Sequence, residues 1–246
     1  MKKMRDKLNA LQNRGQGNNK NNFWRPQDGE TTIRIVPTED GDPFKEFWFH
    51  YNLGNNPGFL SPKRNFGEDD PLDSFVRSLF NEGTEDSVKM AKNLMARQRF
   101  FTPVVVRGEE DQGVRVWGFG KMAYQELLSL VLNPDYGDIT DTEEGTDLVI
   151  TYGKPPGAQF PQTSITPRRR SSGLAKTKKE TKELLDQVPD FVELFERKTP
   201  DQVQNMLDEF LLGDDNAEEN STETTKYESE SDQATSVDDA FAEFLG

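Results

Sequence analysis

The chain has 246 residues, no cysteine, one histidine (His50) and a formal net charge of −14. Lack of cysteine excludes disulfides, thiolate nucleophiles and cysteine-held zinc, and one imidazole excludes any site needing two from a single chain. No catalytic motif, calcium-loop spacing or phosphate-loop glycine pattern occurs, so the composition points to a non-enzyme with no metal and no cofactor.

Residues 1–22 hold six bases, among them Lys2, Lys3 and Arg5, against the single acid Asp6, and a Gln/Asn/Gly-rich stretch that buries little. They read as a basic arm. No apolar run spans a bilayer and the N-terminus has no secretory apolar stretch, so a soluble, intracellular protein without a membrane partner is expected. The folded core is expected over residues 23–213.

Alternation over Thr31–Val36 predicts a strand with Arg34 facing away from Ile33 and Ile35. A second strand, Lys45–Tyr51, places Lys45, Phe47, Phe49 and Tyr51 on one face and Glu46, Trp48 and His50 on the other. Parity leaves open which face is wet. His50 reads as a structural hydrogen-bonding residue. Two helices follow near 72–81 and 85–97, the second capped by Thr84 with Arg97 at its negative end.

Phe100–Arg107 and Val114–Phe119 read as a hairpin about a polar turn, with Arg115, Trp117 and Phe119 sharing a face. Lys121–Leu132 is an amphipathic helix and Asp147–Tyr152 a further strand. Beyond Gly153, Pro-rich sequence leads to Arg168-Arg169-Arg170-Ser171-Ser172. Helices are expected near 176–187, 189–197 and 200–212, the last stopped by Gly213 and carrying Val203, Met206, Leu207, Phe210 and Leu211 on one face. This order fits an α+β fold: an oligonucleotide-binding type of β-barrel with inserted and C-terminal helices, flanked by a disordered arm and tail.

Residues 214–246 carry 11 acids and one base, a segment charge of −10 that leaves −4 on the rest. Such a tail solvates rather than folds, and Phe241, Phe244 and Leu245 at helical spacing suit a partner's groove.

Single strands are bound by cations that track phosphates and aromatic faces that stack on bases. The candidates are Arg34; Lys45, Phe47, Phe49 and Tyr51; Arg97, Arg99, Phe100 and Phe101; and Arg115, Trp117, Phe119 and Lys121. The competing reading of each ring is barrel core, since half of every strand points inward. Arg34 and Arg115 are favoured, because an unpaired arginine is rarely buried.

Through Gly29-Glu-Thr-Thr-Ile-Arg-Ile-Val-Pro37, Arg99-Phe-Phe-Thr-Pro-Val-Val-Val106 and Trp117-Gly-Phe-Gly-Lys121 the chain resembles the single-stranded DNA-binding, helix-destabilising proteins of T-even-type bacteriophages. The resemblance implies an arm for cooperative self-association and a DNA-binding core. It also implies an acidic tail for replication and recombination proteins, and a place in phage DNA replication, recombination and repair in the cytoplasm of an infected bacterium. It gives Arg34 and Trp117 the places of a DNA-contacting arginine and a base-stacking tyrosine. Arg168–Ser172 resembles a segment thought to bind phosphates or the tail. The best-known member has a zinc subdomain in the region matching residues 60–80. Here Asp70-Pro-Leu-Asp73 stands in place of a cysteine pair, and aspartates with no nearby histidine hold zinc poorly. Helix packing through Leu72, Phe75, Val76, Leu79 and Phe80 is expected instead. The alternative to DNA binding is an acidic adaptor of a replication complex, with the aromatics serving only as core.

Overall fold

A computed structural model describes residues 23–54 and 56–218. Eight strands form one mixed sheet: β1 (Phe23–Trp24), β2 (Gly29–Ile35), β3 (Lys45–His50), β4 (Phe59–Leu60), β5 (Arg97–Val106), β6 (Arg115–Phe119), β7 (Thr146–Gly153) and β8 (Gln162–Ser171). The order is β1-β6-β5-β2-β7-β8, with β3 branching from the first half of β5 and carrying β4. Among the described residues no pairing joins the end strands. The closed barrel expected from the sequence is therefore not formed, and the fold is α+β with an open sheet.

Six α-helices complete it: α1 (Pro62–Phe66), α2 (Pro71–Glu82), α3 (Glu85–Leu94), α4 (Lys121–Val131), α5 (Lys178–Leu185) and α6 (Pro200–Glu218). Their starts follow local chemistry. Ser61, Asp70, Thr84 and Thr177 each accept a backbone N–H in the first turn of α1, α2, α3 and α5, and proline opens α1 and α2.

Strand parity sorts the side chains into two faces. One buries Trp24, Ile33, Ile35, Phe100, Val104, Trp117, Phe119, Leu148, Ile150 and Ile165, capped by Ala123 and Leu127 of α4. The opposite face is covered by C-terminal sequence, as Phe191 and Phe195 pack on Phe47, Phe49, Tyr51, Phe101 and Val116. At one end α2 and α3 meet α6 through Leu72, Val76, Leu79, Leu94, Val203 and Leu207. Each such side chain contributes about 1.5–3 kcal/mol on burial.

Two further expectations fail for identifiable reasons, and one long strand lacks a sequence signal. Residues 189–197 form only a single 3₁₀ turn, Val192–Leu194, because both Phe191 and Phe195 are drawn into the sheet. Helix α6 runs through Gly213 to Glu218, so that glycine does not end it; glycine weakens a helix without stopping it. Strand β8 went unpredicted because Ile165 is its only buried side chain, and an edge strand tolerates the polar sequence around Pro167.

Candidate nucleic-acid interface

Arg34 is wholly buried and structural, contrary to the expectation that it faces DNA. Its Nη1 donates to Asp147 Oδ1 at 3.2 Å and Ser172 Oγ at 3.3 Å, and its Nη2 to the carbonyls of Asp141 at 2.8 Å and Ser172 at 2.6 Å. Burial pulls its guanidinium below the ordinary arginine range, with Asp147 acting the other way. Arg107 completes the cluster, donating from Nη2 to Asp147 Oδ1 at 2.8 Å and to the Gly173 carbonyl at 2.8 Å, and from Nη1 to the Leu174 carbonyl at 2.9 Å. The rule that arginine is buried only when paired holds here, and Asp147 is the partner. The sequence offers no local sign of it, since 113 residues separate the two.

The predicted stacking rings also pack on protein. Phe47, Phe49, Tyr51 and Phe101 lie beneath Phe195, whose ring centroid is 4.7 Å from that of Phe101 and 5.0 Å from that of Phe49. Phe100, Trp117 and Phe119 fill the other core, with Tyr124 stacked on Phe100 at 3.8 Å. None of the seven has a face open to a base in this conformation. Two predicted cations are engaged as well: Lys45 Nζ meets Asp40 Oδ2 at 2.5 Å and Arg115 Nη2 meets Glu109 Oε2 at 2.6 Å.

The remaining three predicted residues come together. Arg97 and Arg99 stand opposite Phe49 and Phe47, two positions apart on β5 and on one face of the strand pair. A Cβ built on Gly120 would lie 3.3 Å from Arg99 Nη1, so Arg99 reaches the start of α4, where Lys121 is exposed. That helix has Gly120 as N-cap, no side-chain cap and no acid in its first turn, which leaves its first N–H groups and positive dipole end for an anion. Arg97 is half-buried and donates from Nη2 to a neutral acceptor, the Lys92 carbonyl, at 2.6 Å. Burial first, and then the charge of Arg99, lower its guanidinium below the ordinary range.

On the other face of the same strand pair Trp48 is half-buried, unlike Trp24 and Trp117, and the Arg64 guanidinium lies 5.3 Å from its ring centroid. Asn65 fixes the strand here, accepting from Trp48 N at 2.9 Å and donating to Trp48 O at 2.7 Å. Lys63, Arg64 and Arg77 gather around the carboxylate of Asp73. Alternation had placed Trp48 opposite Phe47 without telling which face is wet. The Phe195 contact decides it. His50, beyond Trp48, is fully buried.

Arg168, Arg169 and Arg170 are exposed on the end strand β8, where Arg168 Nη2 donates to Thr32 Oγ1 at 3.0 Å. Ser171 pairs with Thr146 in the sheet, and Ser172 is held by Arg34, so the five-residue segment is split between surface and core. Lys2, Lys3, Arg5, Phe241, Phe244 and Leu245 lie outside the described residues.

The fold corrects the assumption that Asp70 has no histidine nearby. His50 Nε2 lies 3.1 Å from Asp70 Oδ2, which also accepts from Ser61 Oγ at 2.6 Å. Among the described residues no group of three or more His, Cys, Asp or Glu side chains is arranged to hold a metal ion. Nor is any helix there long and apolar enough to cross a membrane. No protein-family model matches the chain, and neither does any curated protein.

Proposed function

We propose that this chain is a non-catalytic protein that binds single-stranded DNA without sequence preference, coating it during phage DNA replication, recombination and repair. The observation that carries the reading is the cluster of Arg97, Arg99 and Lys121 at the uncapped start of α4. Two half-buried arginines stand side by side there, next to the first backbone N–H groups of α4, and phosphates along a single strand are the anions such a group of cations and N–H donors takes. Trp48 with Arg64 provides the aromatic face on which a base stacks. The reading moves the stacking role from the buried rings to Trp48 and keeps three of the predicted cations.

The same reading takes the open sheet as an oligonucleotide-binding barrel left unclosed by strand pairing. In support, Trp24 in one end strand and Ile165 in the other belong to a single apolar cluster. The basic arm then serves cooperative self-association and the acidic tail serves replication and recombination partners, in the cytoplasm of the infected host.

The test is a titration of the full chain with oligo-dT and with duplex DNA at several salt concentrations. Tight binding to the single strand alone is expected, with log affinity falling by about 0.7 per neutralised phosphate for each unit of log salt. Equal affinity for both forms, or none for either, overturns the reading.

A further inference from the structure

The last three residues of α3 each present a carbonyl that the helix itself leaves unsatisfied, and each is taken by a side chain from the β3–β5 region. Arg97 Nη2 donates to Lys92 O at 2.6 Å, Asn52 Nδ2 to Asn93 O at 3.5 Å, and His50 Nδ1 lies 2.9 Å from Leu94 O. His50 is wholly buried, and its second nitrogen faces Asp70 Oδ2 at 3.1 Å. Asp70 is the N-cap of α2 and also accepts from the backbone N–H of Asp73 at 3.2 Å. One imidazole therefore ties the start of α2 to the end of α3 and both helices to β3. Only two residues, Met95 and Ala96, separate α3 from Arg97.

Both ring nitrogens of His50 face oxygen acceptors, a carbonyl and a carboxylate that already receives the Ser61 hydroxyl. A ring protonated on both nitrogens donates to both, whereas a neutral ring donates to one. Asp70 is the charged group facing the ring, from α2; α3 offers the Leu94 carbonyl and β4 the Phe59 ring, centred 5.5 Å away. The negative end of α3 is thus held by His50 and Arg97 side by side.

We propose that His50 is a positioning residue for the DNA site: by fixing the last turn of α3 it fixes the Lys92 carbonyl that orients Arg97 beside Arg99. This rests on the single-strand-binding reading above. Removal of the imidazole frees the last turn of α3 and with it the Lys92 carbonyl, and so weakens the hold on the phosphate chain.

The experiment titrates the full chain and its H50Q, R97A and H50Q/R97A variants with oligo-dT. Each single substitution is expected to weaken binding about tenfold, and the double variant to bind no more weakly than R97A, because one acts through the other. H50Q binding as tightly as wild type, or a double variant losing the full product of both effects, overturns the positioning role while leaving the interface intact. R97A binding like wild type overturns the interface, and the positioning role with it. Should H50Q fail to fold, D70N carries the same comparison, since asparagine still caps α2.

Discussion

Asp147 Oδ1 lies 3.2 Å from Arg34 Nη1 and 2.8 Å from Arg107 Nη2, so one carboxylate answers two guanidinium groups beneath the segment that follows β8. Both arginines also donate to carbonyls of residues 172–174. Gly145 is part of the arrangement, since a Cβ there would lie 2.4 Å from both Arg34 Nη2 and the Asp141 carbonyl.

Removing that carboxylate leaves two covered charges without their counter-ion. Asp147→Ala is expected to destabilise the fold by about 3–5 kcal/mol, read as a drop in the urea midpoint. A loss below about 1 kcal/mol would show that water satisfies the arginines and that the cluster is no lock.

Acid should act through Asp70. Burial raises its carboxyl, but the hydrogen bonds from His50, Ser61 and Asp73 outweigh this and hold it at about 2, below the ordinary aspartate range. Its folded value is thus depressed, so its contribution is complete above the unfolded value and is lost as pH falls from about 4 towards 2. The shift corresponds to roughly 2 kcal/mol. Urea midpoints of wild type and D70N across this window are expected to converge at the acid end; parallel curves would remove Asp70 from the account.

Among the cations, position should separate function from structure. R97A and K121A are each expected to reduce the salt slope of oligo-dT binding by about 0.7, one phosphate contact. R115A and K45A, whose charges are matched by Glu109 and Asp40, are expected to leave it unchanged. An unchanged slope in R97A would move the interface elsewhere.

Fluorescence offers an independent check, because the three tryptophans differ in exposure. Trp24 and Trp117 are buried against each other with ring centroids 5.8 Å apart, while Trp48 is half-buried beside Arg64. Quenching by oligo-dT is expected to vanish in W48F and to persist in W24F. Persistence in W48F would return base stacking to the buried rings and require the core to open.

Much of the secondary structure was legible along the chain because its determinants are local. Alternation marks β2 and β3, β-branched and aromatic residues about a polar turn mark β5 and β6, the Thr84 cap marks the start of α3, and the stripe of α6 demanded a partner, which α2 and α3 supply. Of the candidate site only the cations were legible. Arg97, Arg99 and Lys121 could be named from their neighbours in sequence, but nothing near Arg34 distinguished a surface arginine from one matched by Asp147. Likewise β8 carries almost no apolar pattern, because an edge strand buries one side chain in ten.

Alone, the sequence determined the basic arm, the acidic tail, the want of thiols and the alternation that splits β3 into an aromatic face and a face bearing Trp48 and His50. Only the tertiary structure decided which face is covered, which arginines are neutralised, and that His50 meets Asp70. The physical reason is that periodicity fixes a side chain's direction relative to its own strand, whereas burial depends on what packs against that strand. Here the answer came from Phe195, Asp147 and Asp70, at sequence distances no local pattern records.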